Sequence, residues 1–402
     1  SFIEAWLNVL IGSLLVRGFI LTIERMHMLN VQKFLLAQKE QGLSNAQAFE
    51  QLTEQFAIKV KHYEDERIVL LDYHMIDSPK MNPVVIECRS LILQFDTFGV
   101  VSRKFDRFFN YGEALEYYHD FDLSRSVIME KADGSLIGVY YHNGKWHIST
   151  RGMAFAEGEH TFGGTFKDKV LNAFGMDEQE FQSIFSVFNK NLTFVFEYTS
   201  PENRIVTKYE RPEMVLLGAN DGEKEWDYET MYCNLVAYGV KNIRKVKTYQ
   251  ASDMDAVVKL ANSLPNLEEG FVIYDPVSNK RMKVKSSLYV VAHSIRGSDP
   301  LPTKKNLLRL LFTGELGEFC AYFPEWSEKA LDIQREVDNA YRELAIAWGK
   351  HKELESQKDF ALAIKDVPYN GILFQARKMN KTVNESWNDW PLEKKISMFE
   401  KE

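Results

Sequence analysis

Residues 129–136, Met129-Glu130-Lys131-Ala132-Asp133-Gly134-Ser135-Leu136, place a lysine at the end of an apolar run and a turn directly behind it. The preceding Ser126-Val127-Ile128-Met129 is β-prone. Leu136 to Thr150 (LIGVYYHNGKWHIST) reads as two strands joined at Asn143-Gly144, a strong two-residue hairpin signal. Asp133-Gly134 is itself a turn dipeptide, because aspartate bonds its own backbone and glycine accepts positive φ. Lys131 therefore falls where a sheet ends and the chain reverses, a place from which side chains face a cleft. Taken alone, the octamer also fits a solvated turn lysine, so the rest of the chain must decide.

A chain of 402 residues is long enough for about two domains. With 45% hydrophobic and 26% charged residues it has the make-up of a globular protein. A formal net charge of −8 argues against a general duplex-coating protein, so any nucleic-acid contact must come from local clusters. Cys88, Cys233 and Cys320 are odd in number and far apart, which excludes a disulfide framework or a cysteine-rich zinc site and suits a reducing cytoplasm. The histidines form no HExxH-like spacing, so a histidine-bound metal is not expected.

Trp6 to Ile23 is mostly apolar, but Arg17 near its centre costs about 2.5–3.5 kcal/mol on insertion scales. No basic segment precedes it, so it is a poor signal peptide, and a membrane partner is not expected. Residues 1–27 are read as an extension, with a domain opening at Met28 in MLNVQKFLLAQKE. From about 58 to 293 the chain is β-rich: VVIECRSLILQF, LTFVFEY, MVLLGA, GFVIYD and RMKVKS are strand candidates, with helical pattern at 167–188 and 253–263. Beyond 303 the spacing turns helical, and the turn-rich Arg296-Gly297-Ser298-Asp299-Pro300 marks a boundary. The expected organisation is a β-rich domain over 28–296 and a helical one over 297–402.

Two acidic positions stand on strand candidates. In LTFVFEYTSPENRIV, alternation sets Phe194, Phe196 and Tyr198 on one face and Val195 and Glu197 on the other. In the second, Glu268, Glu269 and Gly270 open an apolar strand. Period two in Arg281-Met282-Lys283-Val284-Lys285 puts Lys283 and Lys285 on one face, where two ammonium groups repel unless they share an anion or solvent. Lys245-Val246-Lys247 repeats the pattern, and a solvated face suits either; the Lys283 and Lys285 pair differs in following one short turn after the Gly270 strand. Arg89, Arg107 (ahead of Phe108-Phe109) and Arg151 add cations around the strand-end lysine. Cations for phosphates, a ring for a base and a carboxylate for ribose hydroxyls together suit a nucleotide.

In order and at similar spacing, IECRSLI, DRFFNYGE, MEKADGSL, FEYTSPENRIV, EGFVIY and MKVKSSLYV resemble segments of the bacteriophage ATP-dependent RNA ligase 1 family, within the covalent nucleotidyltransferases. The resemblance runs from about 86 to 293. It implies an α+β fold, an adenylylation domain whose antiparallel sheets flank an ATP cleft, followed by an all-helical C-terminal domain. It also implies end joining in which Lys131 takes AMP from ATP. Arg89, Arg107, Phe109, Gly134, Arg151, Glu197, Gly270, Lys283 and Lys285 would then bind ATP. Glu269 and Glu318 would hold Mg2+, and the partners would be RNA ends, single-stranded or from a broken tRNA loop, with no stable protein partner and a cytoplasmic location. The family commonly has lysine where Arg107 and Arg151 stand, and glycine where SLI follows IECR. A capping-type guanylyltransferase or an inactive RNA-binding relative would share much of this pattern; the helical tail and MKVKSSLYV argue against the first, and the full set of site residues against the second.

Overall fold

The structure is a computed structural model that describes residues 27–75, 77–158, 163–202, 206–296 and 302–400, with side chains at 294–296, 318, 321 and 322 outside the description. The reading of Trp6 to Ile23 lies outside the described residues. Two compact units emerge, one formed by the residues up to Met254 with Phe271–Val284, the other by Asp255–Gly270 with Lys285 onward.

In chain order the strands are β1 (Ile58–Tyr63), β2 (Ile68–Tyr73), β3 (Arg89–Gln94), β4 (Val100–Ser102), β5 (Phe109–Asn110), β6 (Val127–Glu130), β7 (Ser135–His142), β8 (Lys145–Ser149), β9 (Thr193–Thr199), β10 (Glu213–Asn220), β11 (Ile243–Arg244), β12 (Thr248–Tyr249), β13 (Gly270–Asp275) and β14 (Lys280–Lys285). They form a four-stranded sheet ordered β1-β2-β3-β4 and two five-stranded sheets, β11-β10-β9-β7-β8 and β12-β6-β13-β14-β5. Pairing is antiparallel except at β10–β11 and β14–β5, which are parallel. The α+β class expected from the sequence is the class found.

The β7–β8 hairpin turns where Asn143-Gly144 stands, with φ of 46° and 81° at the two residues, the positive-φ pair a type I′ turn needs. Phe194, Phe196 and Tyr198 bury one face of β9 against helices Phe166–Phe174 and Glu178–Phe185, with Phe174, Phe181 and Phe185 supplying the other side. Each such ring removed from water contributes roughly 1.5–3 kcal/mol. The first sheet packs on helices Asn30–Glu40 and Asn45–Phe56 through Leu35, Phe49 and Leu52.

One strand candidate is partly a helix. Pro83–Glu87 makes a helical turn before β3, because the Asn82 side chain accepts the Val84 N–H at 2.9 Å and Pro83 stands at the first helical position. That local cap overrides the β-preference of Val84, Val85 and Ile86. Glu87 is buried, its carboxylate accepting the N–H groups of Asn30 and Val31, both at 2.9 Å, at the start of helix Asn30–Glu40.

The second unit is helical after Lys285. Leu344, Phe360, Ile364, Ile372 and Leu373 form a core on which Trp348, Trp387 and Trp390 pack. Lys304, Lys305 and Arg309 form ion pairs with Glu336, Glu400 and Glu393.

Candidate active site

Lys131 leaves β6 between two antiparallel neighbours, β12 (Thr248↔Met129) and β13 (Phe271↔Glu130). Strand pairing thus fixes the backbone up to Glu130, and Lys131 lines a cleft together with Arg89, Phe108, Leu136, Glu197 and Val272. All of these belong to the first unit.

The turn after Lys131 is locked from three sides. The buried Asp133 carboxylate accepts the Val206 and Thr207 N–H groups at 2.8 and 2.7 Å, and its own N–H donates to the Tyr209 hydroxyl at 2.9 Å. Gly134 donates its N–H to Glu197 Oε1 at 3.1 Å. A Cβ at Gly134 would stand 2.2 Å from the Tyr198 carbonyl oxygen, so no other residue fits without backbone movement. The alternation read from β9 therefore does aim Glu197 at the lysine turn.

Phe108 lies between two cations: the Arg89 guanidinium is 5.0 Å and the Lys283 ammonium 5.2 Å from its ring centre. The sequence reading put Phe109 in the stacking role, but Phe109 is 2% exposed and packs with Ile86, Tyr118 and Met282. The parallel pairing Met282↔Phe109 and Lys283↔Asn110 sets this side-chain alternation, sending Phe109 into the core and leaving Phe108 on the cleft.

Arg107 and Arg151 both lie over the Tyr73 ring, at 4.1 and 4.9 Å. Arg107 is buried and is not among the residues that line the Lys131 cleft; its Nη1 has no hydrogen-bond partner and lies against aromatic faces instead. Burial holds the Arg89 and Arg107 guanidinium groups below their ordinary value, and the Arg151 charge adds to the effect. Burial works most strongly against the Arg151 charge, but the Asp72 carboxylate, 3.1 Å from its Nε, and the Tyr73 hydroxyl together outweigh it and raise the group. Guanidinium groups stay charged under such strain, so the cluster favours an anion that relieves it. Asp72 and Tyr73 were not singled out from the sequence; the signal was a lone carboxylate in the otherwise apolar IVLLDY strand.

Gly270, Glu269 and Lys285 belong to the second unit. Glu269 is buried and pairs with Lys285 at 3.0 Å, and Gly270 opens β13 with φ of 133°, a region that favours glycine. Met282 and Val284 are buried and Lys283 and Lys285 partly exposed, the alternation expected of the strand. Glu318 falls in helix Leu316–Tyr322 and its side chain lies outside the described residues.

No group of three or more His, Cys, Asp or Glu side chains converges among the described residues.

The cleft thus brings a strand-end lysine together with a carboxylate, an aromatic ring and cations. The RNA ligase family profile matches residues 87–289, and the chain belongs to that family. A protein of Autographa californica nuclear polyhedrosis virus, named as a candidate bifunctional polynucleotide kinase/RNA ligase, is 38% identical over 285 residues, 68% of this chain and 40% of that protein. This chain thus spans well under half the length of that relative. An RNA ligase of Rhodothermus phage RM378 is 23% identical over 70% of this chain and 78% of its own length. Among solved structures, an archaeal ATP-dependent RNA ligase overlaps 90% of this chain and 81% of its own at 14% identity and a TM-score of 0.43, too distant to inform the chemistry.

Proposed function

We propose that this chain joins 5′-phosphate and 3′-hydroxyl RNA ends at the expense of ATP, with Lys131 as the nucleophile. The observation that carries the reading is the placing of Lys131 in one cleft with Glu197, Arg89 and Phe108, on a turn held rigid by Asp133 and Gly134. Lys131 Nζ, deprotonated, attacks the α-phosphorus of ATP. A P–N bond forms, the bond to the bridging oxygen breaks, and pyrophosphate leaves. The AMP then passes to an RNA 5′-phosphate, releasing the lysine, and a 3′-hydroxyl displaces AMP to form the phosphodiester.

A lysine of ordinary pKa, about 10.4, is almost wholly protonated at neutral pH, so nearby cations must favour the free amine. Arg89 and Lys283 supply that field in the first unit and hold the α-phosphate as charge shifts. Glu197 receives the ribose hydroxyls and Phe108 stacks near the nucleotide, the role first read into Phe109. Arg107 and Arg151 balance the phosphates from the Tyr73 side. Glu269 and Glu318 would hold Mg2+, which when bound neutralises phosphate charge. Sealing of a broken tRNA loop in the cytoplasm is the setting that fits this chemistry; no described helix is long and apolar enough to cross a membrane.

Incubation with α-labelled ATP and Mg2+, followed by denaturation, tests the reading. Label on the wild type, lost in Lys131→Ala and absent with labelled GTP, supports it. Label from GTP alone would turn the reading towards a capping-type guanylyltransferase. Absence of label with either nucleotide, in protein first stripped of bound AMP by pyrophosphate, would overturn it.

A further inference from the structure

Lys104 follows β4 and is 2% exposed, so an ammonium-bearing side chain is threaded through the interior of the first unit. Its stem crosses β7 at Gly138, where an added Cβ would fall 2.6 Å from Lys104 Cε and 2.8 Å from Ser149 Oγ. A glycine inside a strand is otherwise a weakness, and here it is the notch that lets the lysine pass. Beyond the notch Nζ donates to Ser90 Oγ at 2.7 Å and approaches the Thr150 carbonyl oxygen at 3.5 Å. Ser90 Oγ in turn donates to Thr150 O at 3.2 Å.

Ser90 holds φ of 57°, the left-handed region that a residue with a Cβ enters at a cost. Its N–H donates to Asp72 Oδ1 at 3.3 Å, and the same carboxylate holds Arg151. The two residues bonded to Lys104 are thus the immediate neighbours of Arg89 and Arg151.

We propose that Lys104 and Ser90 form a buried strut that positions Arg89 and Arg151 for the phosphates of the nucleotide. The strut ties the start of β3 to the loop after β8, two segments that are not adjacent in any sheet. Lys104 reaches neither the cleft nor its contents, so it is a positioning residue and not a catalytic one. Burial, with the Arg89 charge beside it and Asp72 opposing, holds Lys104 down at about 7, so near neutral pH the strut has given up about half of its charge beside the two arginines. The proposal rests on the ligase reading for its activity arm alone.

The test compares wild type, Ser90→Gly, Lys104→Met and the double variant in two measurements. The first is the ATP concentration giving half-maximal lysyl-AMP formation; the second is amide hydrogen exchange over residues 86–91 and 149–153 without nucleotide. Ser90→Gly keeps the left-handed backbone and removes the hydroxymethyl group that bonds Lys104, so it folds even if Lys104→Met does not. Each single variant is expected to raise half-saturating ATP by about fivefold or more with the final extent of adduct unchanged, and the double to be no worse than the worse single. Exchange is expected to quicken in both segments. Half-saturation within about twofold of wild type, effects that multiply in the double, or unchanged exchange would each overturn the strut. If the wild type forms no adduct the ligase reading fails, and exchange still decides the strut.

Discussion

The Gly134 N–H and the Glu197 carboxylate meet at 3.1 Å, which ties the turn three residues beyond Lys131 to the middle of the second sheet. On the proposed reading, the nucleophile and the carboxylate that receives the ribose are thereby set by one bond rather than by two independent loops. Preorganisation of this kind lowers the barrier because little has to move at the moment of attack.

Gly134→Ala should therefore abolish adduct formation. The new Cβ would collide with a main-chain oxygen that strand pairing holds in place, so the turn must shift and carry Lys131 with it. A loss of about 100-fold or more in the rate of lysyl-AMP formation is expected, measured by label incorporation, with circular dichroism confirming a folded chain.

Glu197→Gln keeps an acceptor oxygen for Gly134 and so should keep the fold. What it loses is the charge that faces the lysine cleft and, on the proposed reading, the ribose. Adduct formation should fall by roughly 10–100-fold with little change in thermal midpoint. Equal losses of stability and rate would count against a direct role for the carboxylate.

Phe108 and Phe109 should separate cleanly. Phe108→Ala should raise half-saturating ATP by about tenfold or more, since stacking on a base contributes about 1–3 kcal/mol, and leave stability nearly intact. Phe109→Ala opens a cavity beside Ile86 and Met282 and should cost about 3–5 kcal/mol in urea unfolding.

Lys104 gives a pH dependence with a definite sign. In the folded chain it titrates at about 7, whereas unfolded it keeps its proton to about 10.4. Between those values the unfolded state binds the extra proton, so stability rises with pH, at most by about 1.4 kcal/mol per unit, and below 7 the contribution is flat. The difference in unfolding free energy between wild type and Lys104→Met should thus move in favour of wild type from pH 7 to pH 9. Urea titrations at those two pH values check it, and a constant difference would sink the assignment.

In the second unit, Lys304→Ala and Arg309→Ala break surface ion pairs with Glu336 and Glu393. Each should change stability by less than about 1 kcal/mol. Because each charge already has a carboxylate partner, sealing of RNA ends should also change by less than about twofold, read in a gel assay.

The sequence disclosed the features that rest on local chemistry. The Asn143-Gly144 turn, the alternation along β9 and the two faces of β14 follow from turn propensity and period two, and the structure has all three. Pro83–Glu87 was misread because three β-branched residues outvoted a capped helix start that the Asn82-Pro83 pair was already signalling. Phe108 and Phe109 could not be ranked from the sequence, since the choice depends on which residue the parallel β5–β14 pairing turns inward, a contact between segments far apart in the chain. Lys104 gave no signal: in SRKFDRFF it looks like any surface cation, and only tertiary packing through Gly138 buries it.

The notch at Gly138 also constrains how this chain and its relatives diverge. A side chain at 138 crowds a lysine at 104, because its Cβ would fall 2.6 Å from Lys104 Cε and 2.8 Å from Ser149 Oγ and force the end of the lysine to shift. With lysine gone from 104, a serine at 90 keeps the cost of left-handed backbone without its cationic partner, which leaves glycine the cheaper occupant. Positions 90, 104 and 138 are therefore expected to be inherited together, and covariation among them in aligned sequences would be the evolutionary trace of a single buried contact.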